Sequence, residues 1–229
     1  QFSILAVGII VMQGAVVRFD IAENGIMVPG TPAQNGFSAA NKLINFLMAL
    51  YNGLASAILG FNAQNYGKSD YRRIRQGTRQ SLIIMLIMYA FCLTAGLLLS
   101  IGGAYQHIFM SEDKISEASV RFGNTYLYVD FILYFILGFL IVTRSAVQGI
   151  TKVGYVLGAG VAELVSRVLI CAYLPALVNG GATDASASLA SFAAVCFGDP
   201  GAWLLASLVL LMPTVKYIFR MQYKKEVSG

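Results

Sequence analysis

Stretches without a single charge set the reading of this chain: residues 1–17, 43–67 and 80–106 contain no Asp, Glu, Lys or Arg. Helices in the core of a water-soluble domain average about 11 to 12 residues, whereas a helix that crosses the hydrocarbon layer needs about 20 apolar ones. The second and third runs are long enough to cross, and the first reads as a helix entered partway. With no initiator Met, no basic leader and no cleavage-site pattern, it is read as a helix and not as a signal peptide. Three further apolar stretches complete a set of six expected membrane segments at 1–17, 39–66, 80–106, 122–143, 153–178 and 201–219. The pattern predicts an all-α integral membrane protein, a six-transmembrane-helix bundle. The uncharged piece 185–198, 14 residues long, is too short to span and is expected to lie at the interface or to re-enter the membrane.

Composition agrees: 57% of the 229 residues are hydrophobic and 12% charged, against about 25% charged in an ordinary soluble domain. The net charge of +5 is not a nucleic-acid footprint, because the basic residues gather at expected helix ends. Lys68, Arg72, Arg73, Arg75 and Arg79 fall in one connection, Arg144 and Lys152 in another, and Lys216, Arg220, Lys224 and Lys225 at the end of the chain. Those stretches hold 11 of the 16 basic residues; the alternate connections hold most of the acids and include two long, turn-rich loops, 18–37 and 179–201. Since basic residues stay on the cytoplasmic side, the chain is expected to start there, cross six times and return its C-terminus to the cytoplasm.

Enzyme readings find no footing. There is no HExxH, GxSxG or GxxxxGK pattern, no metal-ligand spacing, and the single histidine, His107, reads as solvated. Cys92, Cys171 and Cys196 are scattered and read as small buried hydrophobes. The informative residues are polar groups within apolar segments, which are costly at bilayer depth and face protein or a water-filled cavity. Asn41, Asn45 and Asn52, spaced by four and seven, share one helical stripe. Such a stripe lines a polar pathway or hydrogen-bonds to neighbouring helices, and the spacing leaves both open. Glu163 and Arg167 stand i, i+4 on one face and read as a structural ion pair. Asp130, placed near the outer end of the fourth segment, is either an interfacial carboxylate or a protonatable group facing a cavity.

Residues 36–79, GFSAANKLINFLMALYNGLASAILGFNAQNYGKSDYRRIRQGTR, carry a small-residue stretch, a Gly-Leu-Ala-Ser-Ala core, Gln-Asn-Tyr-Gly and a basic loop. Together with RSAVQG at 144–149, ELVSR at 163–167, GDPGAW at 198–203 and the opening QFSILAVGIIVMQ, this order of motifs resembles the MATE (multidrug and toxic compound extrusion) transporters. The resemblance implies that residues 1–229 are the C-terminal lobe of a twelve-helix transporter whose N-terminal lobe is absent. It further implies an antiporter of the cell membrane that exports amphipathic or cationic compounds by alternating access in exchange for protons or sodium ions, with no other cofactor. Some members place coupling carboxylates in the seventh and tenth helices. Here the first segment has no acid and offers Gln13 instead, so the resemblance locates no ion site in this lobe. Gln13, Asn41, Asn45, Asn52 and Asp130 are the candidate cavity residues; no catalytic or metal-binding residue is expected. A lipid-linked oligosaccharide flippase of the same superfamily would need a cationic cavity, and a non-transporting scaffold or remnant would need none.

Overall fold

A computed structural model describes residues 2–220, with side chains from Val7 onward. Lys224 and Lys225 of the expected cytoplasmic tail lie outside the described residues. The described residues are mostly helical: α1 (Phe2–Val17), α2 (Pro32–Gly67), α3 (Tyr71–Ser100), α4 (Ala104–Phe109), α5 (Glu117–Gly149), α6 (Val153–Asn179), α7 (Leu189–Cys196) and α8 (Gly198–Thr214), which ends in a π-helical turn at Val215–Phe219. Five helical stretches, 32–67, 71–109, 117–149, 153–179 and 189–219, are long and apolar enough to cross a membrane; α1, at 16 residues, is shorter. Their outward faces are apolar, as with Ile83, Ile87, Phe91 and Leu98 of α3, so the medium around the bundle is lipid.

The helices outrun the apolar runs because polar residues start them. Asp70 caps α3 by accepting from the Arg73 amide, so Arg72, Arg73, Arg75 and Arg79 are helical and the loop before them shrinks to 68–70. Ser116 and Ser119 form a capping box that opens α5 at Glu117, not at 122. Asp130 therefore sits about three and a half turns inside its helix, away from the end to which its position in the expected segment 122–143 assigned it. The 185–198 piece, expected at the interface or as a re-entrant segment, is from Leu189 onward the first part of the helical stretch 189–219. Phe192, Val195 and Cys196 of α7 are buried, and α7 runs on through Phe197 into α8.

Helix α5 is the centre of the bundle, packed on α2, α3 and α8, while α6 packs on α8 and α1. At the α2–α5 crossing Gly36 faces the backbone of Ser119 and Gly123, so close that any side chain at Gly36 would displace α5. Lower down, Tyr134 forms edge-on contacts with Tyr51 at 5.3 Å and Trp203 at 6.1 Å, and donates its hydroxyl to the Ile44 carbonyl at 3.2 Å. Asn62 joins α2 to α3 and α5: its Nδ2 donates to Thr78 Oγ1 at 3.2 Å and to the Ala146 carbonyl at 3.4 Å.

The long loop before α2 is tied down. Thr31, the residue before α2, offers no side-chain cap, and the buried Asp20 carboxylate takes its place, accepting from the amides of Ala33 and Gln34 at 2.9 Å each. The Ala185 amide donates to the Ile21 carbonyl at 2.8 Å and joins this loop to the one before α7.

Candidate functional site

A cavity of about 370 Å³ opens between α2, α5, α6 and α8. One wall is α2, which contributes Asn41, Asn45 and Asn52 with Ile44 and Met48; opposite stand Tyr126, Asp130 and Arg144 of α5, Glu163 and Arg167 of α6, and Asp199 and Trp203 of α8. Four of the five expected cavity residues thus come together. The fifth, Gln13, is exposed on α1 and does not line this space, although Ile9, one turn before it, does.

The asparagine stripe faces the cavity and is not engaged with other helices. Asn45 Nδ2 donates to Asn41 O at 2.9 Å and to Asn41 Oδ1 at 3.0 Å, both within α2. The remaining carboxamide capacity is open to whatever enters.

The charged wall is larger than the expected Glu163–Arg167 pair. Those two side chains stand 3.7 Å apart, but each has a shorter partner on another helix. Arg144 Nη2 lies 2.6 Å from Glu163 Oε2, linking α5 to α6, and Arg167 Nη2 lies 2.6 Å from Asp199 Oδ1, linking α6 to α8. The Tyr126 hydroxyl donates to the other Asp199 oxygen at 2.8 Å. This run from Tyr126 to Arg144 spans 18 residue steps of α5, about 27 Å along its axis, close to the full depth of the hydrocarbon layer. Gly8 lets α1 pass directly over Arg167, since a Cβ there would come within 2.7 Å of its guanidinium.

Counting charges singles out one residue. Two arginines face three carboxylates, and Glu163 and Asp199 have the guanidinium contacts. Asp130 is fully buried and neither of its oxygens has a hydrogen-bond partner. Tyr126, one turn earlier on the same face, has a single O–H proton and gives it to Asp199. A buried polar group left without a partner costs about 1–3 kcal/mol, more when charged, and such groups mark functional sites. Among the described residues, no group of three or more His, Cys, Asp or Glu side chains is placed to hold a metal ion. His107 does not line the cavity; it is exposed and 3.3 Å from Glu112.

Sequence reasoning missed Arg144, Asp199 and Tyr126 as site residues. The sequence pattern puts Asp199 in an outer connection, whereas the early start of α8 at Gly198 brings it against Arg167. Tyr126 carries a local signal in its i, i+4 spacing from Asp130, while Arg144 and Asp199 fall within the RSAVQG and GDPGAW motifs.

Neither a curated protein nor a solved structure matches the chain. The MatE family model matches residues 27–173, which include α2, α3, α5 and most of α6 and hence every cavity residue except Ile9, Asp199 and Trp203. A bundle of apolar helices around a polar cavity, matched over most of its length by that model, belongs to the MatE family of multi-pass membrane transporters.

Proposed function

We propose that the chain is one lobe of an antiporter that exports amphipathic organic cations by alternating access, exchanging them for protons or sodium ions at Asp130. Asp130 carries the reading: a buried carboxylate with no partner, in the middle of a membrane helix and on the wall of the cavity. A proton or a small cation that binds there supplies the missing partner, and a cationic substrate competes for the same carboxylate. Mutually exclusive occupancy of one charge is the physical basis of exchange, since each ligand biases the equilibrium between inward- and outward-open forms only through its differential affinity. The second wall of the pathway would come from an N-terminal lobe facing α2 and α5. The basic end of the bundle faces the cytoplasm of a cell membrane on this reading.

The flippase alternative needs cationic groups free to hold a pyrophosphate. The two cavity arginines each contact a carboxylate at 2.6 Å, which favours the cation exporter. A scaffold or remnant would have no reason to keep an unpartnered carboxylate in a cavity.

The test is efflux of a fluorescent organic cation from pump-deficient cells that express the full-length protein, with and without collapse of the proton and sodium gradients. Exclusion of the dye that depends on a gradient is expected. Asp130→Asn should lose it while the amount of folded protein in the membrane stays the same. Gradient-driven exclusion at the wild-type rate in Asp130→Asn would remove Asp130 from coupling.

A further inference from the structure

At the end of the bundle where α5 passes into α6 and α8 ends, two lysines converge on one aromatic ring. Lys152 Nζ lies 4.9 Å and Lys216 Nζ 5.1 Å from the centre of the Tyr217 ring, and the Tyr155 ring stands 6.0 Å from Tyr217. Neither lysine has a carboxylate within ion-pair distance among the described residues. Two like charges held at one ring repel each other, and a cation–π contact at an exposed site returns only about 0.5–1 kcal/mol. An anion between them turns that repulsion into attraction. Thr151, held at φ 62°, precedes Lys152, the π-helical turn at Val215–Phe219 carries Lys216, and a shallow cleft of about 400 Å³ opens beside Lys152 at residues 151–155.

What lies next to the lysines identifies the anion. From Lys152 an exposed apolar stripe, Val153, Leu157, Val161 and Val165, runs down α6. Val165 lies two residues from both Glu163 and Arg167, about 200° round the helix, so the stripe faces away from the cavity. On α8, Leu204, Leu208 and Met212 form a matching exposed stripe that leads up to Lys216 at the same four-residue step, and α6 packs against α8. Each lysine therefore stands at the head of a lipid-facing apolar track. We propose that Lys152 and Lys216 form a specific site for the phosphate headgroup of an anionic glycerophospholipid, whose acyl chains lie along the paired α6 and α8 surface. Tyr155 and Tyr217 supply the interfacial ring platform on which the headgroup rests. A free phosphate shares the headgroup chemistry but has no use for the two tracks.

The test places the full-length protein in phosphatidylcholine nanodiscs with and without phosphatidylglycerol and measures the thermal unfolding midpoint. Phosphatidylglycerol should raise the midpoint of wild type. Lys152→Gln with Lys216→Gln should abolish the rise and leave the midpoint in phosphatidylcholine unchanged, with apparent lipid affinity falling roughly fivefold per lysine. Arginine at both positions should restore it. Lys68→Gln, at the same end but away from Tyr217, should behave as wild type. A full rise in the double glutamine variant overturns the site. So does an equal loss in Lys68→Gln, which means diffuse attraction to the basic end, or an equal rise on adding inorganic phosphate to phosphatidylcholine discs, which means a soluble anion. Should the glutamines lower the midpoint in phosphatidylcholine as well, retention of phosphatidylglycerol on the folded protein by native mass spectrometry decides on the same terms.

Discussion

The two walls of the cavity are built on opposite plans. The α2 wall is neutral: its asparagines bond within their own helix and keep capacity for an incoming ligand. The wall made by α5, α6 and α8 is charged, and its members bond across helices, Arg144 to Glu163 and Arg167 to Asp199. Removing a side chain from the first wall changes what the cavity offers a ligand. A change in the second alters what holds three helices together, because a buried ion that loses its partner keeps its desolvation cost without compensation. Asp130 stands on the charged wall but outside its hydrogen bonds and ion pairs, so it has the freedom of the first plan and the charge of the second.

The sharpest way to break the comparison is Arg167→Gln. Arg167 reaches two carboxylates, Asp199 at 2.6 Å and Glu163 at 3.7 Å, and is 5% exposed. Losing its charge leaves Asp199 largely buried with only the Tyr126 hydroxyl as partner, and the expected cost is about 3–5 kcal/mol. The amount of folded protein extracted from membranes, read by fluorescence-detected gel filtration, should collapse. Normal yield and a normal unfolding midpoint would mean that the charged wall is no lock.

Tyr126→Phe comes next. It removes one hydrogen bond to Asp199, which keeps Arg167, so the loss should be about 1–3 kcal/mol, seen as a drop of several degrees in the unfolding midpoint. Tyr126 also stands one turn from Asp130, so the variant should change the gradient dependence of export as well as stability, whereas a purely structural tyrosine would change the midpoint alone.

The two walls also differ in how far the sequence reveals them. The asparagine stripe lies within one helix, so its spacing alone puts three side chains on one face. The helices themselves are equally plain, because uncharged runs of this length have few alternatives. Their ends are not, since Glu117, Arg121 and the Arg72–Arg79 group continue the helices beyond the apolar stretch, where capping by Ser116 and Asp70 governs. That is why Asp130 looked peripheral. The charged wall joins residues 19 and 32 positions apart on three helices, which no local pattern encodes. The i, i+4 spacing of Glu163 and Arg167 is present but is the longest of the three arginine–carboxylate contacts in the cavity.

The smallest effect on stability, and the one that sharpens the contrast most, belongs to Asn45→Leu. Asn45 is exposed to the cavity and its hydrogen bonds reach only Asn41, one turn back, so no neighbouring helix loses a partner. The unfolding midpoint should move little, since a surface-like substitution of this kind stays within about 0.5 kcal/mol. Export should respond differently. The substitution removes a donor and an acceptor from the neutral wall, so a substrate that hydrogen-bonds there should need a higher concentration for half-maximal transport, while a purely hydrophobic cation of similar size should be exported as well as before or better. Comparison of the two substrates on one variant, with folded protein held constant, separates a ligand-facing wall from a structural one. An equal loss for both, or a fall in the midpoint comparable to that of Tyr126→Phe, would show that the α2 wall supports the fold after all and that the two walls do not differ in kind.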